Sequence, residues 1–342
     1  MIKFLQNKSL DYDLYRQALL ESEESNQFTN GGPAKRDLEQ LLHEKLQIED
    51  NKAVLCTANG TLALHAIKLF LRRKHGNLRW ASPSFTFPSC VVGGFSTDLY
   101  DIEMETVTLP LSSLNKCDGV IITSLFGTYP PNLQTFVEDC KNQNKKLILD
   151  VASSPMTKID GKNICNFGDY SFGSLHHTKL LGFGEGGFII MPKEEYYEMS
   201  SIVAFGYNTE QAVRVYHPLS SNFKMTDVAA ASIIQHIKKL NLNIFLEMQE
   251  LFTNALVNLE NCSLLLPNTE VVYGNLSIIF DNPQSKKTFF DKGIEAQKYY
   301  YPLVAEHTNS MLIYERIINF PLHTDLTQQD FNVIVKAIKE VK

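Results

Sequence analysis

No apolar run in the 342 residues reaches the roughly eighteen that a membrane span requires, so no spanning helix is expected. The opening stretch MIKFLQNKSLDYD lacks the long apolar core and small-residue cleavage site of a secretory signal, which leaves the cytoplasm as the expected location. Cysteine is sparse and unpatterned. The six, at positions 56, 90, 117, 140, 165 and 262, form no C-x-x-C pair and show no zinc-like spacing with histidine. No metal site is expected, and the thiols read as reduced and mostly structural. Basic charge is not in excess either: 32 Lys and Arg face 38 Asp and Glu, a formal charge of −6, so there is no cationic field to attract nucleic acid. No internal repeat or low-complexity segment is evident. What remains, 44% apolar and 20% charged, is ordinary globular composition, and the length suits a large domain with a smaller second one.

Periodicity then organises the chain. AKRDLEQLLHEKLQI, from Ala34, places Leu38, Leu41, Leu42 and Leu46 on one helical face after the turn signal Asn30-Gly31-Gly32-Pro33. Short β-rich runs follow at 53–56, 119–124, 146–150 and 187–191, with helical stretches from Thr61 and Pro131 between them. Strands alternating with helices predict an α/β fold with a mostly parallel central sheet sandwiched by helices. The stretch near 206–222 reads as a long irregular loop. Beyond Lys239 come a long helix, strands such as 276–280 and a final amphipathic helix near 327–340. The expected division is a large domain over 1–240 and a smaller C-terminal α/β domain over 241–342.

Ligands of open α/β sheets gather beyond the carboxyl ends of the strands, and four features fall there. Asn59-Gly60-Thr61 follows a strand and opens a helix, which suits either an anion at the free N–H groups or an ordinary helix cap. Pro83 to Phe87 follow a second strand. Asp150 ends an apolar strand, where a carboxylate needs a cationic or hydrogen-bonding partner. A protonated pyridine nitrogen would serve, and so would a plain helix cap. Lys179 lies in a polar loop, Ser174-Leu175-His176-His177-Thr178-Lys179. A lysine held near a cationic ring loses its proton more easily than in water, the condition for bonding to an aldehyde, although an isolated lysine is usually just solvated. His176 and His177 are candidates to line that pocket or to pack on the surface. Gly182 to Gly187 spell G-x-G-x-x-G, but they follow a polar loop and lead into a strand, the reverse of a dinucleotide fingerprint, and read as a flexible turn.

The order of these segments resembles the DegT/DnrJ/EryC1/StrS family of sugar aminotransferases. The resemblance runs from about Asn30 to the C-terminus through GGP (31–33), NGTLAL (59–64), PSFTF (83–87), LFGTYPP (125–131) and LDVASS (149–154). It continues through GDYSFGSLHHTKLLGFGEGG (168–187), SNFKMTDVAAA (221–231), KYYYPL (298–303) and FPLHTDLT (320–327). The lysine and GEGG segment is the most specific part.

That resemblance implies a fold type I enzyme dependent on pyridoxal 5′-phosphate (PLP). By the same likeness Lys179 bonds to the cofactor and moves the proton during transfer, and Asp150 partners the pyridine nitrogen. Phe87 lies against the ring, Gly60, Thr61 and Ser174 contact the phosphate, and Asn222 reaches it from the other subunit of a homodimer with shared sites. Where the family often has glutamine or histidine near the cofactor's phenolic oxygen, this chain has Ser153, whose shorter hydroxyl needs a water or another residue to reach it. Tyr299, Tyr300 and Tyr301 resemble part of the substrate-facing segment, with sheet packing as the other reading. The implied reaction passes an amino group from glutamate to a nucleotide-linked keto sugar. The favoured sugar is dTDP-4-keto-6-deoxyglucose aminated at C4 for surface polysaccharide such as O-antigen, with C3 amination next. Sugar dehydratases on this scaffold resemble the chain with histidine at the lysine position, so Lys179 favours transamination. A catalytically silent sugar-nucleotide-binding regulator is disfavoured by the complete set Asp150, Lys179 and Asn222.

Overall fold

The computed structural model describes residues 1–208, 213–214, 216–265 and 270–341. Two N-terminal helices, α1 (Tyr12–Glu24) and α2 (Pro33–Lys45), precede the first strand, β1 (Lys52–Thr57). Helix α3 (Gly60–His75) and strands β2 (Trp80–Pro83), β3 (Thr97–Tyr100) and β4 (Gly119–Thr123) follow. Next come α4 (Leu133–Asn142), β5 (Lys146–Asp150) and a small hairpin of β6 (Lys158–Ile159) and β7 (Lys162–Asn163). Strands β8 (Tyr170–Ser174) and β9 (Gly187–Pro192) complete a seven-stranded sheet in the order β1-β9-β8-β5-β4-β2-β3. The strands from β8 through β5, β4 and β2 to β3 run parallel, and β9 runs antiparallel to both of its neighbours. The α/β, mostly parallel architecture is the one expected from the alternating pattern.

The central strands β4 and β5 are largely apolar because both faces of the sheet are covered. Val120, Ile122, Leu147 and Leu149 point into a core built with Leu38 and Leu42 of α2 and Phe136 of α4. Ile121 and Ile148 point the other way, onto Leu64, Ile67, Phe70 and Leu71 of α3. Period-2 alternation is present, but it sorts apolar residues between two cores rather than between core and water. On the second face α3 is joined by α5 (Tyr196–Val203), which contributes Met199 and Ile202.

After α5 a hairpin of β10 (Tyr207–Asn208) and β11 (Val213–Arg214) occupies part of the expected irregular stretch, of which 209–212 and 215 lie outside the described residues. Helix α6 (Asp227–Lys239) returns to the first face, with its N-cap Thr226 accepting from the Ala229 amide. Helix α7 (Leu242–Leu256) leads to an antiparallel sheet of β12 (Cys262–Leu264), β13 (Leu276–Phe280) and β14 (Ile317–Phe320). The short α8 (Lys286–Phe290), then α9 (Thr308–Arg316) and α10 (Gln328–Lys339), fall between and after these strands. Phe280, Phe289 and Phe320 pack together beneath them. Among the described residues no helix is long and apolar enough to cross a membrane, no cluster of side chains has a metal-binding arrangement, and all six cysteines are free and buried.

The Gly-Gly-Pro entry to α2 has a physical reason. Pro33 occupies the first turn, and Gly32 lies so close to the Asp227 carboxylate that a Cβ would not fit. Asp227, fully buried, accepts from the Ala34 amide at 3.1 Å and from the Ser22 hydroxyl at 2.7 Å, tying α1, α2 and α6 together. A second buried polar knot joins α2 to the sheet: Glu39 is ion-paired with Lys35 at 2.5 Å and accepts from the Cys56 amide at 2.7 Å and the Tyr196 hydroxyl at 3.0 Å. Removing one member leaves the others buried and unpaired, which typically costs about 3–5 kcal/mol. Glu39→Ala is therefore expected to lower the urea-unfolding free energy by that order, whereas Glu44→Ala on the same helix changes it little.

Candidate active site

Strand β5 ends in a carboxylate that has nowhere to go but the space above the sheet. Asp150 pairs in register with Thr123 of β4 and Phe172 of β8, and all three line one cavity of about 650 Å³. Asp150 is only 5% exposed. Its Oδ1 accepts from the Ala152 amide at 3.0 Å, and among the described residues no lysine, arginine or histidine is within ion-pair distance. Burial pushes its pKa up to about 6, against the pull of the Ala152 N–H and the Lys179 ammonium.

Lys179 faces the same cavity from the loop between β8 and β9. Burial lowers its pKa, opposed by the Asp150 carboxylate, so the neutral amine is easier to reach than for a lysine in water. Backbone bonds from the Leu175 amide to Gly186 O, the His177 amide to Gly184 O and the Lys179 amide to His176 O, each 2.8 Å, fold the loop on itself. The glycines are what make this possible. Gly182 lies against the backbone of Leu175 and His176 with no room for a Cβ, and Gly184 has φ +68°. The G-x-G-x-x-G spelling is thus a turn into a strand and not a dinucleotide loop.

An anion cradle stands across from the lysine. Asn59 caps α3 by accepting from the Leu62 amide at 3.0 Å, while the amides of Gly60 and Thr61, in the first turn, have no intrahelical acceptor. Both of the uses read from the sequence, cap and cradle, are available at once. A Cβ on Gly60 would sit 3.2 Å from Gly173 O and from the Ser174 Cβ, so glycine lets the helix start approach the end of β8 and sets Ser174 beside Thr61. Gly187 presses on the backbone of Asn59 in the same way, which brings the start of β9 against the cradle.

The cavity gathers eleven of the thirteen sequence-selected positions: Gly60, Thr61, Phe87, Asp150, Ser153, Ser174, His176, His177, Lys179, Tyr299 and Tyr300. Phe87, 50% exposed, stands edge-on to Tyr300 at 5.8 Å. Tyr300 is stacked between Tyr299 at 5.1 Å and Phe126 at 6.4 Å. Two candidates are not brought in. Tyr301 is 59% exposed and packs on Tyr314 outside the cavity. Asn222 forms a backbone bridge with Ala204, its Oδ1 accepts from the Lys224 ammonium at 2.5 Å, and it does not line the cavity of its own chain. Sequence reasoning missed Phe4, Gln6, Lys8, Phe126, Asn275 and His323 as lining residues. Phe126 and His323 lay inside the recognised LFGTYPP and FPLHTDLT motifs; the N-terminal residues show no period that would have singled them out.

The donor set fits PLP. A buried carboxylate lacking a cation, first-turn amides beside two hydroxyls, an exposed aromatic ring and a lysine of lowered pKa are what an anionic phosphate, a protonated ring and an aldehyde require.

The sequence profile of the DegT/DnrJ/EryC1/StrS aminotransferase family matches residues 12–339. The dTDP-4-amino-4,6-dideoxy-D-glucose transaminase of Shigella dysenteriae is 25% identical over 349 residues, covering 93% of each chain. GDP-perosamine synthase of Vibrio cholerae is 24% identical over 304 residues, covering 82% of this chain and 81% of that one. Among solved structures, DesI in the presence of its TDP-sugar product matches with a TM-score of 0.84 at 16% identity, over 99% of this chain and 92% of that one. That likeness is one of fold: type I, with a mostly parallel central sheet.

Asp150 generates a stability prediction. Its folded pKa of about 6 exceeds the ordinary 3.8, so its contribution is fully present below about pH 4 and is lost as pH rises through 6. At about 1.4 kcal/mol per pH unit, ionised Asp150 costs the cofactor-free protein on the order of 3 kcal/mol at pH 8. Asp150→Asn is expected to be the more stable protein at pH 8 without cofactor, with the gap narrowing towards pH 5. Urea titrations at the two pH values check this; equal or lower stability at pH 8 would contradict it.

Proposed function

Because the chain belongs to the DegT/DnrJ/EryC1/StrS aminotransferase family, we propose that it moves an amino group from glutamate to C4 of dTDP-4-keto-6-deoxyglucose, for surface polysaccharide. It is a PLP-dependent transaminase. The observation that carries the reading is the pairing of Asp150 and Lys179 in one cavity, the carboxylate buried without a cation and the lysine with its proton loosened. The choice of sugar is supported by the two relatives, whose names specify a dTDP-linked 4-amino-4,6-dideoxyglucose and GDP-perosamine.

When bound, PLP supplies an aldehyde that captures amines and a ring that delocalises the electron pair left on carbon after proton removal. The chain's residues do the rest. Asp150 would hold the ring nitrogen protonated, a task its burial suits because a desolvated carboxylate binds a cation strongly. Gly60 and Thr61 amides with the Thr61 and Ser174 hydroxyls would receive the phosphate. Phe87 would cover one face of the ring, and Ser153 would serve the phenolic oxygen side.

Lys179 Nζ would bond to the aldehyde at rest and, once displaced by an incoming amine, take the proton from the donor's α-carbon. In the second half it would return a proton to the sugar carbon that receives nitrogen. Glutamate enters as the amine donor and leaves as its keto acid. Tyr299, Tyr300 and His176 would face the sugar. Asn222 does not line the cavity of its own chain, and a homodimer in which Asn222 of the partner subunit completes each phosphate site would give it that role.

Purified protein incubated with glutamate and a panel of dTDP-, UDP- and GDP-linked keto sugars is expected to place nitrogen at C4 of the dTDP sugar, located by NMR. Amine at C3, or on another nucleotide's sugar, would reassign the substrate; absence of an aldehyde absorbance band from the parent protein would remove the cofactor reading itself. Lys179→Ala is expected to fold and to lose turnover by at least about a thousandfold, as loss of a covalent catalytic group does. Asn222→Ala is expected to hold PLP less tightly, and mixing it with Lys179→Ala should recover activity through hybrid sites carrying both intact residues. A fully active monomer, or parent-like PLP retention in Asn222→Ala, would rule the shared site out.

A further inference from the structure

The N-terminal segment sends one ammonium group into the turn that carries the catalytic lysine. Lys8 Nζ donates to three carbonyls of that turn, Lys179 O at 2.6 Å, Gly182 O at 2.7 Å and His177 O at 2.9 Å. These exhaust its three donors. Among the described residues no carboxylate is within ion-pair distance of it. It is half-buried on the cavity wall, and burial lowers its pKa to about 8.

We propose that Lys8 is a positioning residue for Lys179, an ammonium clamp that fixes the peptide planes on which the catalytic side chain pivots. The inference rests on the role assigned to Lys179 above. Lys179 must alternate between bonding to an aldehyde and carrying a proton, so its Cα has to stay still while Nζ moves; misplacement of about 1 Å is enough to cost a hundredfold in rate. The turn's own bonds do not hold it to the rest of the protein. The amides of His177, Lys179 and Gly182 all bond to carbonyls inside the turn, at Gly184, His176 and Lys179.

Besides the side chains of Leu175 and Leu181, which are buried in the core, hydrogen bonds attach the turn to its surroundings from two sides. On α6, His236 Nε2 lies 2.9 Å from Leu180 O, and burial followed by the Lys8 charge lowers its pKa to about 4, so it is neutral and donates that bond. On the other side is Lys8, whose backbone is itself anchored. The Asn7 amide donates to Asp325 at 3.0 Å, Gln6 donates to Thr324 at 2.7 Å, and the Asp11 amide donates to Gln235 at 3.1 Å. The clamp therefore ties the Lys179 turn to the segment after β14, across the cavity wall.

The test compares Lys8→Met, which keeps the stem and loses the donors, with Lys8→Arg and with Asp325→Ala, which loosens the other end of the same segment. In cofactor-free protein, hydrogen exchange at the His177, Lys179 and Gly182 amides is expected to rise at least about tenfold in Lys8→Met, to return towards the parent in Lys8→Arg, and to rise by a smaller factor in Asp325→Ala, which loosens the anchor and leaves the three Lys8 bonds in place. The rate at which Lys179 captures PLP, trapped by borohydride and read as mass on its peptide, should fall in parallel, with kcat lowered more than KM for the sugar is changed. Parent-like exchange in a folded Lys8→Met protein, or an effect in Asp325→Ala larger than in Lys8→Met, would overturn the clamp. If the parent itself fails to capture PLP at Lys179, the functional reading falls, and the exchange comparison still decides whether Lys8 holds the turn.

Discussion

The site depends on one carboxylate held where it is expensive to ionise. Asp150 closes β5 with a single N–H donor and a lysine too distant for an ion pair. Left alone, such a group protonates; given a cation, it binds strongly because the surroundings offer little screening. A carboxylate so placed suits a cation at the carboxyl edge of the sheet, the part proposed above for the cofactor's ring nitrogen.

Meeting it requires backbone segments to approach more closely than side chains allow. Gly60 lets the first turn of α3 touch the end of β8, and Gly187 lets the start of β9 touch Asn59. The antiparallel β9, the one reversal in an otherwise parallel run beside it, returns the chain directly from the Lys179 turn to the strand that precedes the cradle. Lysine and cradle are far apart in sequence, yet the β1 and β9 pairing makes them neighbours. Ion pairs and caps such as Lys35 with Glu39 and Asp227 with Ala34 lie on the α2 and α6 face, while Asp150 and Lys179 in the cavity have no ion-pair partner among the described residues.

Electrostatics in the cavity follows the same division. Burial raises the carboxylate's pKa and lowers those of Lys179 and Lys8, so each charged form is destabilised until a ligand or a set of carbonyls compensates. For Lys8 the compensation is already present in the three carbonyls. For Asp150 and Lys179 it is incomplete, which distinguishes a group used for support from groups reserved for chemistry.

Much of this was legible in the order of residues. Alternating apolar runs identified β1, β4, β5, β9 and β13, because a strand covered on both faces is apolar at every position, and turn glycines marked the Lys179 loop. The strands β2, β3 and β8 are short or polar, as in Tyr170–Ser174, and their strand character comes from pairing with neighbours rather than from local pattern. Asp150 and Lys179 were each compatible with a plain cap or a solvated side chain, and became legible through the order of the motifs around them, which resembles that of the aminotransferase family. Lys8 violated nothing: a lysine in a polar N-terminal stretch is what solvent accepts. Only the tertiary structure decided that its ammonium lies within 2.9 Å of three carbonyls some 170 residues away, that Tyr300 faces the cavity while Tyr301 faces Tyr314, and that Asn222 is left out of the cavity lining. Local sequence encodes propensity and burial period, whereas these contacts depend on where distant segments pack, which no local pattern records.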